Sequence, residues 1–217
     1  MTVVDPRTIS RPHVWLPAAD SSTAQTLFLL HGTGADEHDL INLGRALNPE
    51  ANLLSVRGLV VADGMARFFM RFEDGSFDET GIVCNADELA SFLADAARAY
   101  GFDANRVVAV GFSNGANAAG SLLLCHPESV CAVAAFGTTK SFVSTEQALR
   151  GGLPDLSGKT VWIANGATDG YSPSAKTQAM VHEFEQLGAS VELMVHPGGH
   201  MIVMDHVQAI AQAIRSL

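Results

Sequence analysis

Short apolar runs alternate with longer amphipathic stretches along the whole chain. The runs are Thr26–His31, Leu53–Arg57, Val107–Gly111, Val130–Phe136, Thr160–Asn165 and Val191–His196. Several are unbroken rather than alternating, as strands are when helices cover both faces of a parallel sheet. Between them, helical periodicity covers Glu37–Leu47, Asp87–Tyr100, Gly115–Cys125, Ser174–Leu187 and Val203–Ile214. Asp36 reads as the N-cap of the first helix. Asn85-Ala-Asp-Glu88 reads as a capping box for the second, with Gly101 as its stop. The alternation predicts an α/β fold with a mostly parallel central sheet and helices on both faces. Without a Pro/Gly/Ser linker or a repeat, residues 1–217 read as a single domain. Two stretches break the alternation. Val61–Cys84 carries Phe68, Phe69, Phe72 and Phe77 and is long enough to read as a functional loop. Gly137–Lys159 is the shorter one.

Composition narrows the function classes. Hydrophobic residues make up 47% of the 217 and charged residues 17%, which suits a packed globular core. The net charge of −10 argues against nucleic acid or an anionic membrane surface as a partner. The start, Met1 to Pro17, has no signal-type apolar core, and no run approaches a membrane span, so no stable membrane insertion is expected. Three cysteines, Cys84, Cys125 and Cys131, do not make a disulfide framework. Reduced thiols in a cytoplasmic protein are the simplest reading.

The most specific chemical signal is Gly111-Phe-Ser-Asn-Gly115. It follows the apolar run Arg106–Val110 and precedes the helical run from Ala116. A Gly-x-Ser-x-Gly at a strand-to-helix turn is a nucleophile elbow, with the serine hydroxyl raised on a strained turn. The flanking glycines let strand and helix pass closely. Ser113 is therefore the candidate nucleophile. A serine hydroxyl is weak alone and requires a base, a group that orients the base, and an oxyanion hole.

Each slot has a candidate. Asp169, in Gly166-Ala-Thr-Asp169-Gly-Tyr-Ser-Pro173 after an apolar run, is the candidate acid; the alternative is an Asx-turn aspartate. His200, in Val195-His-Pro-Gly-Gly-His200, is the candidate base. His196 and His206 are rivals, the first at a strand end and the second inside a helical pattern. Backbone N–H groups of Asn114 and of Thr33, in His31-Gly-Thr-Gly34, suit an oxyanion hole. His31 reads as the residue holding that turn. His196 and His200 are separated by Pro-Gly-Gly, so they cannot share a helix face as paired zinc ligands do, and no metal is expected.

Taken together, these residues resemble the α/β-hydrolase superfamily, and within it the small carboxylesterase/phospholipase family that includes acyl-protein thioesterases and lysophospholipases. The resemblance runs from His31-Gly-Thr-Gly through Gly-Phe-Ser-Asn-Gly and Gly-Ala-Thr-Asp to Gly-Gly-His200. Gly64-Met-Ala-Arg67-Phe-Phe and Phe77-Asp-Glu look like a bacterial subgroup, some of whose members are linked to quinone or catechol stress. The family implies an α/β-hydrolase fold and a Ser113, His200, Asp169 triad. It also implies oxyanion donors at Thr33 and Asn114, no cofactor, and a small-molecule ester as substrate. Related small esterases often form homodimers.

One position departs from that pattern. Asn114 stands where the thioesterases carry Gln, so a side-chain role does not transfer. Gly137–Lys159 is too short for a cap domain, which predicts an open site. Phe68, Phe69 and Phe72 are the candidate substrate wall, with burial in the core as the alternative. The reading is a serine hydrolase for esters of modest size, against two rivals. One is a lysophospholipase or acyl thioesterase for long chains. The other is a non-catalytic binding protein on the same fold.

Overall fold

A computed structural model describes residues 11–149 and 151–217. The polar start read over Met1–Pro17 lies outside the described residues as far as residue 10. Among these described residues nine strands form: β1 (His13–Leu16), β2 (Thr26–Leu30), β3 (Asn52–Val56), β4 (Val60–Ala62), β5 (Met65–Arg67), β6 (Val107–Phe112), β7 (Ala132–Phe136), β8 (Thr160–Gly166) and β9 (Ser190–His196). The helices are α1 (Ile41–Leu47), α2 (Glu79–Tyr100), α3 (Asn114–Cys125), α4 (Thr145–Ala148), α5 (Ser174–Gln186) and α6 (Met204–Ile214). Seven strands make one sheet in the order β1-β3-β2-β6-β7-β8-β9. Only the edge strand β1 runs antiparallel, against β3.

Side chains of a strand point alternately to its two faces, and here both faces are apolar. Phe28 and Leu30 of β2 join one buried cluster with Leu89 and Leu93 of α2, Leu122 and Leu123 of α3, and Met180 and Phe184 of α5. Leu27 and Leu29 of the same strand join the other, with Leu47 of α1 and Val207, Ile210 and Ile214 of α6. Burial on both faces is why these strands read as unbroken apolar runs. The α/β architecture with helices on both faces is the one expected. Between β7 and β8 the described residues hold only the single-turn helix α4. Among the described residues, no helix is long and apolar enough to cross a membrane.

Three local readings need correction. Helix α2 begins at Glu79, not Asp87. Asp78 caps it, its Oδ1 accepting from Gly81 N–H at 3.0 Å, while Asn85 is buried within the helix. The capping box read at Asn85–Glu88 is thus helix interior. Asp36 does not cap α1, which starts only at Ile41; its carboxylate closes an Asx turn on His38 N–H at 2.9 Å. The stretch Val61–Cys84, read as irregular, contains most of the β4–β5 hairpin and the start of α2.

Candidate active site

The turn between β6 and α3 places Ser113 at φ 56° and ψ −120°, one of two non-glycine residues with positive φ among those described. Such a backbone costs on the order of 1–3 kcal/mol and persists only where its surroundings impose it. Here they do. Ser113 N–H donates to Phe136 O at 2.9 Å, and Ser113 O accepts from Asn117 N–H at 3.1 Å. A Cβ added at Gly115 would lie 2.0 Å from the carbonyl oxygen of Leu30. Helix α3 thus starts closer to β2 than any side-chain-bearing residue allows. Its first N–H groups, that of Asn114 among them, have no intrahelical acceptor. They supply the positive end of the helix beside the serine.

The loop after β2 reaches the same spot. A Cβ at Gly32 would sit 3.6 Å from Ser113 Cβ. Gly34 N–H is tied to Ala66 O of the hairpin at 2.8 Å, and Ala35 N–H to Gly32 O at 3.2 Å. Among the described residues, Thr33 N–H donates to no backbone acceptor. His31 holds the turn from within. Its Nδ1–H donates to Gly32 O at 2.7 Å and its Nε2 accepts from Gly58 N–H at 3.0 Å. It is fully buried, and that desolvation pushes its pKa below 6.5, against the raising effects of the Gly32 hydrogen bond and nearby carboxylates.

The sign of the resulting pH effect follows. Below pH 6.5 the unfolded chain protonates His31 while the folded one holds it neutral, so stability is lost as pH falls through that window. The melting temperature is expected to decline below about pH 6.5, and the His31 ring signals in an NMR titration to stay neutral into that range. A ring titrating at the ordinary value would contradict this.

The acid and base arrive from the ends of β8 and β9. His200 Nδ1–H donates to Asp169 Oδ2 at 2.7 Å. Asp169 Oδ1 accepts from Tyr171 N–H at 2.8 Å and Ser172 N–H at 3.3 Å. The Asp169 side chain is 0% exposed. Burial pushes its pKa up, but the His200 hydrogen bond, the Tyr171 and Ser172 amides and the His200 charge together hold the carboxyl below the usual range. An ionised aspartate on Nδ1 fixes the tautomer and leaves Nε2 as the basic nitrogen. The imidazole packs 4.9 Å from the rings of both Phe112 and Tyr171. Gly137, at φ 63°, makes room for it: a Cβ there would lie 2.7 Å from His200 Cε1. Among the described residues Ser113 and His200 share no hydrogen bond; free enzymes often tighten this contact only with substrate.

His196 is not free to compete as the base. Its Nδ1 accepts from Gly198 N–H at 3.1 Å and its Nε2–H donates to Met201 O at 3.2 Å. It braces both flanks of the His200 loop. His206 packs against it, rings 5.4 Å apart. Cys125 is no rival nucleophile, since burial pushes its thiol up to about 12.

The wall read from the phenylalanines changes. Phe68 and Phe69 are 1% exposed and belong to the core beneath α2, so they offer substrate no surface. Only Phe72, 51% exposed, faces solvent. What holds the Phe68–Phe69 backbone to the site is the Asn114 side chain. Its Oδ1 accepts from Phe68 N–H at 2.7 Å and its Nδ2–H donates to Phe69 O at 3.2 Å. That clamp, and the presence of Tyr171 against His200, were missed in the sequence. An aromatic two residues after the candidate acid was the available signal for Tyr171. Two surface cavities of about 790 and 760 Å³ lie elsewhere, and neither is lined by any of these residues.

Comparison with known proteins gives the family and the fold. Residues 13–217 match the family described as Phospholipase/Carboxylesterase. The protein named "Putative hydrolase MhqD" of Bacillus subtilis (strain 168) is 37% identical over 182 residues, 84% of this chain and 88% of that one. The crystal structure of the Bacillus cereus carboxylesterase superposes with a TM-score of 0.89 at 35% identity, covering 97% of this chain and 96% of the other. A carboxylesterase from Mesorhizobium loti gives 0.84 at 29% identity, over 95% of each.

Proposed function

Since the chain belongs to the phospholipase/carboxylesterase family and has the α/β-hydrolase fold, we propose that it hydrolyses carboxylic esters of modest size through a Ser113, His200, Asp169 triad. The observation that carries this is the 2.7 Å Asp169–His200 pair at the same sheet edge as a serine held at positive φ. Asp169 orients the imidazole, and His200 Nε2 takes the proton as Ser113 Oγ attacks the carbonyl carbon. The Thr33 and Asn114 N–H groups receive the charge that develops on the oxygen. His200 then protonates the leaving alcohol. Water, deprotonated by the same nitrogen, cleaves the acyl-enzyme and regenerates Ser113.

The strained serine argues against the binding-protein rival. A backbone cost of about 1–3 kcal/mol on a serine, next to a histidine paired with a buried aspartate, fits a nucleophile better than a pocket that only binds. Three free cysteines, two of them half-buried, suit a reducing compartment such as the cytoplasm.

The test is covalent labelling with a fluorophosphonate, the adduct mapped by mass spectrometry. A single adduct on Ser113, absent from Ser113→Ala and slower to form in Asp169→Asn, is the expected result. No adduct, or one on another residue, sinks the reading.

A further inference from the structure

A cation stands one ring away from His200, and among the described residues no carboxylate holds it. The Arg71 guanidinium lies over the face of Tyr171, Cζ 4.7 Å from the ring centroid, with Phe77 at 6.0 Å. Tyr171 in turn packs 4.9 Å from the His200 ring. Arg71 Nε–H donates to Gly75 O at 3.3 Å, and its remaining donors have no partner among the described residues. The loop around it is acidic, yet none of its carboxylates, Glu73 included, pairs with Arg71 among the described residues. Asp74 accepts from Ser76 N–H and Oγ–H at 2.9 and 2.6 Å, and Asp78 caps α2. Arg11 and Arg57, by contrast, pair with Glu88 and Glu37.

Arg67 is a second such cation, at the end of the β4–β5 hairpin that covers the Gly32–Gly34 turn. Its Nε is buried without a partner among the described residues, and its Nη2–H reaches Ala62 O only at 3.5 Å. Burial raises the Tyr171 phenol, and the Arg71 guanidinium over its ring pulls it back. In a chain of net charge −10, two arginines without carboxylate partners among the described residues, one of them stacked on the ring that packs against His200, are a local reversal of sign.

We infer that Arg71, supported by Arg67, forms an anion subsite next to Ser113, and that the preferred ester carries a carboxylate near its scissile carbonyl, as a monoester of a dicarboxylic acid does. This rests on the ester hydrolase reading above. A guanidinium binds carboxylate through two parallel N–H donors, and stacking on an aromatic face orients it without consuming them. Hydrolysis would then release the dicarboxylate and the alcohol. Arg71 is exposed, so solvent screening keeps the effect moderate.

The experiment compares monomethyl and dimethyl glutarate by pH-stat titration. The expected wild-type kcat/KM favours the monoester by roughly tenfold or more, the scale of one charge-assisted contact. The ratio of the two should collapse toward one in Arg71→Met and recover in part in Arg71→Lys. In the wild type it should also shrink as potassium chloride is raised, a measurement that needs no variant to fold. A wild-type ratio of one or below, or a ratio unmoved by both Arg71→Met and salt, overturns the subsite. If the diester is cleaved and Ser113 is labelled while the ratio stays flat, only the subsite fails. If Ser113 is not labelled, the hydrolase reading fails and the subsite with it.

Discussion

Replacing Ser113 by alanine is expected to lower kcat toward an ester by about a hundred-thousandfold or more, with little change in KM. The loss is large because, in the proposed mechanism, the serine supplies the bond-forming atom, and the remaining groups have no covalent intermediate to act on. Asp169→Asn should cost about ten-thousandfold by a different route. Asparagine can offer its amide N–H to Nδ1, which reverses the tautomer and puts the proton on Nε2, where the base must be free. The two effects should not add: in the double variant the loss stays close to that of Ser113→Ala alone, since the residues act as one unit. Steady-state rates on a short-chain ester, with active sites counted, would check this. A Ser113→Ala protein within tenfold of wild type would remove the serine from the mechanism.

The second large effect concerns stability. Gly115→Ala is expected to destabilise the fold by about 4 kcal/mol or more, beyond ordinary overpacking. The new methyl would face backbone on every side: the Leu30 oxygen at 2.0 Å, the Leu30 carbonyl carbon at 2.4 Å and the His31 oxygen at 2.5 Å. None of these atoms can rotate away, so α3 and β2 would have to part. The same substitution five residues further along the helix, Gly120→Ala, is its control. There the methyl meets only Phe184 Cζ at 3.6 Å, an ordinary contact. Removing a helix-interior glycine should leave that protein unchanged or more stable by up to about 1 kcal/mol. Denaturant unfolding of the pair reads the difference directly. Equal midpoints would mean that the close approach at the elbow is not structural.

Much of the sheet was legible because its central strands are buried on both faces and therefore apolar at every position. The edge strand β1 was not. His13, Val14, Trp15 and Leu16 are all only partly buried, and Trp15 is placed by stacking on Tyr100, 4.7 Å away at 9°, a partner remote in sequence. The start of α2 was misplaced by eight residues for a similar reason. Asn85-Ala-Asp-Glu88 has the composition of a cap, but the helix already runs from Glu79, and Asn85 is buried by packing. The Asp36 reading failed on geometry. Its side chain bonds two residues ahead and closes a turn before the helix begins.

By itself, the sequence determined which residues are the candidates for the chemistry and in what order they occur. Gly-x-Ser-x-Gly between strand and helix, Asp169 after a strand and His200 after a glycine pair are local patterns, written by the backbone conformations those positions require. Tertiary structure alone decided what surrounds them. Phe68 and Phe69 read equally well as wall or core until the Asn114 clamp and the α2 packing put them inside. Tyr171 and Arg71 come from two separate loops, and nothing in their spacing announces that the guanidinium stacks on the ring that packs against His200. Short-range pattern records the demands of the chain on itself, whereas neighbours far apart in sequence are chosen by how the sheet and helices close over one another.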